Sequence, residues 1–164
     1  MKRSNESLRA ASLSCMVIAL EKIHLILPSS VVIEVCLAGM LEICSPGTAP
    51  AQASNVQQTT LPIGYLAWNE TKLPVYNFEK IQDVNFDAQC PMPYVLIVHS
   101  LDPATKCPTY GLQISKLPRM VKVGYSAMEV RESSLPAYIQ AEIAFDGQAM
   151  FIPKLLEIEK HLTT

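Results

Sequence analysis

The sequence predicts a mostly β protein, a small barrel or a pair of barrels closed by one helix. Three observations carry this: about ten short apolar runs follow one another at fairly even spacing, turn-forming residues bound each run, and helical spacing occurs only near the C-terminus. With 164 residues, 49% apolar and 17% charged, the chain fits one packed domain that buries roughly two thirds of its unfolded surface.

Leu13 to Leu20 is an apolar, β-branched run, Glu21-Lys22 a polar break, and Ile23 to Leu27 continues until Pro28, the pattern of a hairpin. Val31, Ile33, Val35 and Leu37 then alternate with Val32, Glu34 and Cys36, which predicts a strand packed on one side and interrupted by Glu34. Cys44 to Pro62 is rich in Ser, Pro, Gly, Ala, Gln and Thr without an apolar period, so it reads as a long irregular connection. Gly64 to Trp68 and Leu73 to Phe78 flank the polar run Asn69-Glu70-Thr71-Lys72, giving a second hairpin with a four-residue turn. Pro74 lacks an amide hydrogen, so its strand should be an edge or should turn that position away from its neighbour.

After a break at Asp83 to Pro93, Tyr94 to His99 is apolar almost throughout, as expected for a strand buried on both faces. Asp102 to Pro108 reads as a loop, and Tyr110 to Ile114, Met120 to Val123 and Ala127 to Arg131 as further strands. Asp146-Gly147 between Glu142–Phe145 and Gln148–Ile152 is the residue pair of a tight hairpin turn. Pro153 then suits a first helical position, with Leu155, Leu156, Ile158 and Leu162 on the apolar face and Glu157, Glu159 and Lys160 on the wet one. The expected organisation is a tail at 1–12 and one domain at 13–162, with an irregular loop at about 43–62.

Charge and cysteine usage exclude several classes. Thirteen basic and fifteen acidic residues leave a formal net charge of −2, scattered along the chain, with neither the basic stripe of a nucleic-acid binder nor a polybasic membrane patch. Cys15, Cys36, Cys44, Cys90 and Cys107 are odd in number and irregular in spacing, unlike a secreted disulfide framework. Polar residues interrupt the start before a signal peptide's apolar region is established, and Glu21, Lys22, His24, Pro28 and Glu34 break the apolar stretch before it reaches membrane-spanning length. A cytoplasmic protein with reduced thiols and no direct membrane insertion is the expectation.

No motif of catalysis stands out. His24, His99 and His161 are far apart and lack neighbours at metal spacing, so no metal site and no cofactor are expected. Cys107 with His99 as base is the one arrangement that would serve a small β-barrel enzyme or ligand-binding protein, and no local signature supports it. Glu34 lacks a second carboxylate at matching spacing and reads as an interface or strand-edge residue. Trp68 reads first as a core residue and second as a contact anchor beside a polar turn.

Several strings resemble the CheW-like domain, the adaptor and kinase-regulatory module of bacterial chemosensory systems. Val32-Ile33-Glu34-Val35 resembles the family's V-x-E-V-like strand. Gly64-Tyr65-Leu66-Ala67-Trp68 with Leu73-Pro74-Val75 resembles its glycine–Arg-Gly–proline signature, and Tyr110-Gly111-Leu112, Val121, Val123 and the closing helix follow in the family's order. The family's Arg-Gly pair is Asn69-Glu70 here, and its aspartate after the proline strand is Asn77. Trp68 and the long insertion are similar to the ChpC-like auxiliary adaptors of type IV pilus chemosensory clusters. The resemblance implies two small SH3-like five-stranded barrels that share a core, with a C-terminal helix. It also implies a non-catalytic scaffold whose partners are the regulatory domain of a CheA-like histidine kinase and the cytoplasmic tip of a chemoreceptor, in chemotaxis or twitching motility, and in one variant the kinase alone. The partner-binding residues it implies are Val32, Glu34, Gly64, Trp68, Asn69 and Glu70.

Overall fold

The computed structural model describes residues 12–43, 61–124, 129–131 and 134–162. The expected tail at 1–12 is seen only at Ser12, where the first strand begins, and residues 44–60 of the expected loop lie outside the described residues. The strands are β1 (Ser12–Ala19), β2 (His24–Pro28), β3 (Val32–Leu37), β4 (Leu41–Ile43), β5 (Gly64–Trp68), β6 (Thr71–Tyr76), β7 (Tyr94–His99), β8 (Thr109–Ile114), β9 (Arg119–Gly124), β10 (Glu129–Arg131), β11 (Ile139–Phe145) and β12 (Gln148–Pro153). Two short helices, α1 (Phe78–Gln82) and α2 (Leu155–Glu159), follow β6 and β12.

The strands form two six-stranded sheets, in the orders β10-β11-β12-β2-β1-β9 and β4-β5-β6-β8-β7-β3. Chain connectivity requires each to curl. Strands β3 and β4 are the two edges of one sheet, yet only Ala38–Met40 separate them. Six flat strands would hold those edges about 24 Å apart, and four Cα steps reach no more than about 14 Å. In the other sheet the edges β9 and β10 are likewise consecutive in sequence. The result is the expected pair of small barrels, with a three-residue edge strand, β4 or β10, making six strands in each instead of five.

The two barrels repeat one plan. In each, the third and fourth strands of the order above pair in parallel, β12 with β2 and β6 with β8, and a short helix follows the third. In each, the hairpin into the third strand turns through two residues of positive φ, Asn69 (45°) and Glu70 (64°) or Asp146 (52°) and Gly147 (74°), as tight hairpin turns require.

Apolar burial follows the same division. Leu66, Leu73, Val75, Val95 and Ile97 fill one barrel, and Cys15, Val17, Ile26, Val123, Ile143 and Met150 the other. The largest cluster lies between them and takes the opposite faces of the same strands, among them Ile18, Leu25, Leu27, Tyr76, Leu96, Val98, Tyr110 and Leu112, together with Phe78, Leu155 and Ile158 from the helices. Strand β7 therefore has both faces packed, as its unbroken apolar sequence predicts.

Three local expectations are corrected and one is narrowed. The β5–β6 turn has two residues, not four, because Thr71 Oγ1 donates to the Trp68 carbonyl (2.8 Å) and Thr71 and Lys72 already belong to β6. Of the two alternatives for Pro74 the second holds: its strand is an inner one, and the proline is tolerated because the parallel ladder to β8 begins only at Val75. Asn77 and Phe78 leave the strand, since the Asn77 side chain accepts from Lys80 N (3.0 Å) and so caps α1. Pro153 ends β12 instead of starting the helix, and on α2 Leu156 is half exposed while Glu159 is buried.

Buried hydroxyls and thiols set an alkaline limit. Desolvation pushes up the acid groups of Tyr76, Tyr110, Cys15 and Cys107, because the interior disfavours their charged forms. The folded chain holds these protons where the unfolded chain releases them, so the contribution is fully present below about pH 9 and is lost as pH rises further. Urea midpoints should be level from pH 7 to pH 8.5 and fall steeply by pH 10.5, and Tyr110→Phe should flatten that fall.

Candidate functional site

The six residues implied by the resemblance do not all meet. Glu34, Trp68, Asn69 and Glu70 form one exposed group at the hairpin end of the β4-containing barrel. The Trp68 indole N–H donates to the Glu34 carboxylate, and the Cys36 thiol contacts the same oxygen at 3.6 Å. Strands β3 and β5 are not ladder neighbours, so this bond links them across the barrel seam. The Trp68 ring is half-buried and packs on the barrel's apolar filling, which fixes the indole while leaving its edge accessible.

Gly64 and Val32 have other surroundings. Gly64 is buried at the far end of β5, and a Cβ there would lie 2.5 Å from the Glu42 carbonyl oxygen, so the glycine permits close approach of β4. Val32 opposes Val98 and packs partly against the shared core.

Asn69 and Glu70 carry the departures from the family string. Asparagine suits positive φ, but glutamate at 64° occupies backbone space that favours the glycine the family has there. An exposed carboxylate thus sits at a strained position. With Glu34 and Glu42 it gives this end an acidic character, offset by Lys72, which pairs with Glu42 at 2.8 Å. In the other barrel Arg119, on the edge strand β9, lies 3.8 Å from Asp146 in the hairpin turn.

Sequence patterning missed an exposed apolar rim on the two edges of the same sheet. Leu37 (70% exposed), Met40 (76%) and Ile43 (77%) lie along the β3–β4 connection. Leu37 ends the alternating run of Val31, Ile33 and Val35, but nothing in the sequence shows that β3 and β4 are sheet edges. Such exposure of large apolar side chains beside polar ones is a feature of contact surfaces.

Metal and nucleophile chemistry find no assembled group. Among the described residues no three His, Cys, Asp or Glu side chains come together at metal-binding distance. Cys107 is 2% exposed with its sulfur 3.9 Å from the Tyr76 hydroxyl, and burial pushes the thiol up, away from the thiolate a nucleophile needs. His99 is exposed at the end of β7.

No family model matches the sequence, and no curated protein does. The paired barrels with crossed helices are nevertheless a known fold class, the CheW-like fold. The chain is similar to the crystal structure of the scaffolding protein TtCheW from Thermoanaerobacter tengcongensis, with a TM-score of 0.64 and 15% identity over 90% of this chain and 92% of that one. At that identity the likeness shows the fold.

The Trp68–Glu34 bond is a surface contact, and its removal should be felt little in stability. Trp68→Phe and Glu34→Gln should each unfold within about 1 kcal/mol of the parent, as read by urea melts. A double-mutant cycle on those melts should show a small positive coupling, and strict additivity would show the bond to be absent in solution.

Proposed function

We propose that the protein is a non-catalytic scaffold that couples a CheA-like histidine kinase to the cytoplasmic tips of methyl-accepting chemoreceptors, in chemotaxis or in twitching motility. The observation that carries this is the likeness of both barrels, across 90% of the chain, to a scaffolding protein. The exposed Trp68, Glu34, Asn69 and Glu70 group and the apolar rim of Leu37, Met40 and Ile43 support it, since an adaptor acts through surfaces and needs no pocket or cofactor. In this reading the kinase's regulatory domain meets one barrel end and the receptor tip another surface, in the cytoplasm at membrane-associated arrays and without nucleic acid. No described helix is long and apolar enough to cross a membrane.

Mixing the purified chain with the regulatory domain of such a kinase should give a complex in analytical sedimentation. Failure to bind any kinase domain or receptor tip at high micromolar concentration would overturn the proposal. Unchanged kinase affinity in Trp68→Ala and Glu34→Ala would remove only the assignment of the site.

Asn69 favours a narrower reading, in which the chain binds the kinase and not the receptor. A neutral amide there lacks the charge and the planar donor fork of the family's arginine. Asn69→Arg should then raise receptor-tip binding about tenfold or more while leaving kinase binding unchanged. Equal receptor affinity in the two chains would show that this position does not set the coupling. An enzymatic reading through Cys107 and His99 has the buried, upward-shifted thiol against it.

A further inference from the structure

Two buried glutamates join the barrels in opposite directions. Glu79, on the helix that follows β6, is 6% exposed and accepts from Glu21 N (3.2 Å) and Lys22 N (2.6 Å) in the β1–β2 turn of the other barrel. Glu159, on the helix that follows β12, is 2% exposed and accepts from Leu101 N and Asp102 N (both 2.9 Å) in the β7–β8 loop of the first barrel. In the repeated plan of the barrels these two helices correspond, and so do these two loops. Each barrel thus extends a carboxylate to two successive amides of its twin.

The two clamps are joined by one line of packed groups. Tyr110, on β8, donates its hydroxyl to Glu159 (3.0 Å) and sets its ring edge-on to Tyr76 at 6.2 Å. Tyr76 ends β6 and precedes Asn77, the cap of the helix that carries Glu79. Glu21 extends the Glu79 clamp by accepting from Gln89 N (2.9 Å) and Cys90 N (3.4 Å), and Lys22 lies over the Phe86 ring at 5.0 Å. From Glu159 through Tyr110 and Tyr76 to Asn77 each step is a buried contact or a direct chain connection, whereas the Glu21 bonds to Gln89 and Cys90 are exposed, and a displacement of Tyr110 reaches the start of α1 through a single side chain.

We propose that the Glu79 and Glu159 clamps act as one latch, coupled through Tyr110 and Tyr76, so that opening a loop of one barrel loosens the corresponding loop of the other. The latch is a property of the chain alone and holds whatever the barrels bind.

Amide hydrogen exchange on the full chain tests it, with the Leu96 and Ile97 amides of β7 as the reference for global unfolding. Glu159→Gln keeps the side chain's shape but places an amide among donors. It should speed exchange at Leu101 and Asp102 by about tenfold and, relative to the reference amides, also speed Glu21 and Lys22 by about threefold or more. Glu79→Gln should show the converse. Tyr110→Phe removes only a hydroxyl and serves where Glu159→Gln fails to fold; it too should speed both pairs. Faster exchange at Leu101 and Asp102 with parental rates at Glu21 and Lys22, in either Glu159→Gln or Tyr110→Phe, would overturn the latch and leave two independent clamps.

Discussion

Glu159→Ala should destabilise the protein by about 2–4 kcal/mol, a large part of the roughly 5–15 kcal/mol that holds a domain folded. The buried carboxylate satisfies three donors at once, the Leu101 and Asp102 amides and the Tyr110 hydroxyl. Truncation leaves the buried Tyr110 hydroxyl and the part-buried Leu101 and Asp102 amides without this acceptor, and the cost of an unmade bond to a buried donor exceeds the net value of the bond. The relief of no longer burying a charge offsets part of this, which keeps the estimate below the sum of three charged bonds. Glu159→Gln should fall between parent and alanine variant, because its oxygen still accepts but its NH2 group meets further donors. Two residues away, Glu157 is exposed and pairs with Lys160 at 3.0 Å, so Glu157→Ala should leave the urea midpoint where it is. Equal midpoints for Glu159→Ala and the parent would show that the loop amides find other acceptors.

That residue also shows where sequence reading ends. Strands such as Tyr94–His99 and the Asp146-Gly147 hairpin are legible because their signal is local: a run of apolar side chains, or a residue pair suited to positive φ. Glu159 belongs to a five-residue helix at a barrel end, which is covered on more than one side, so a single apolar stripe does not describe it. The donors that neutralise its carboxylate are backbone amides, and these have no sequence signature. Helix α1 was hidden for a related reason, since Asn77 and Phe78 continue the composition of β6 and only the cap geometry separates them. At the candidate site the composition of the Trp68-Asn69-Glu70 turn was legible. Its bond to Glu34, thirty-four residues away, and the edge position of Leu37, Met40 and Ile43 depend on sheet order, which no single strand encodes. The repeat of one plan in both barrels is invisible for the same reason: the corresponding strands share pairing and position, not residues.

Gly111→Ala, at the centre of the other sheet, should cost about 1–3 kcal/mol although it removes no contact. Gly111 lies on β8 opposite Val75 of β6 and Ile97 of β7, with strands bonded on both sides. A Cβ there would meet Val95 Cγ1 at 2.6 Å and Val75 Cγ2 at 3.0 Å, and both valines are fully buried. Glycine in a strand ordinarily weakens it through backbone entropy, so alanine would stabilise the strand if the space were open. Here the packing term decides the sign, because neither valine has an empty side to rotate into. Val95→Ala in the Gly111→Ala background should recover part of the loss, while Val95→Ala alone should destabilise by opening a cavity. A cycle with that sign places the clash at the valine. Additive losses in the two variants would place the cost of the new methyl in the backbone of β8 instead, and with it the reason this position of the barrel carries glycine.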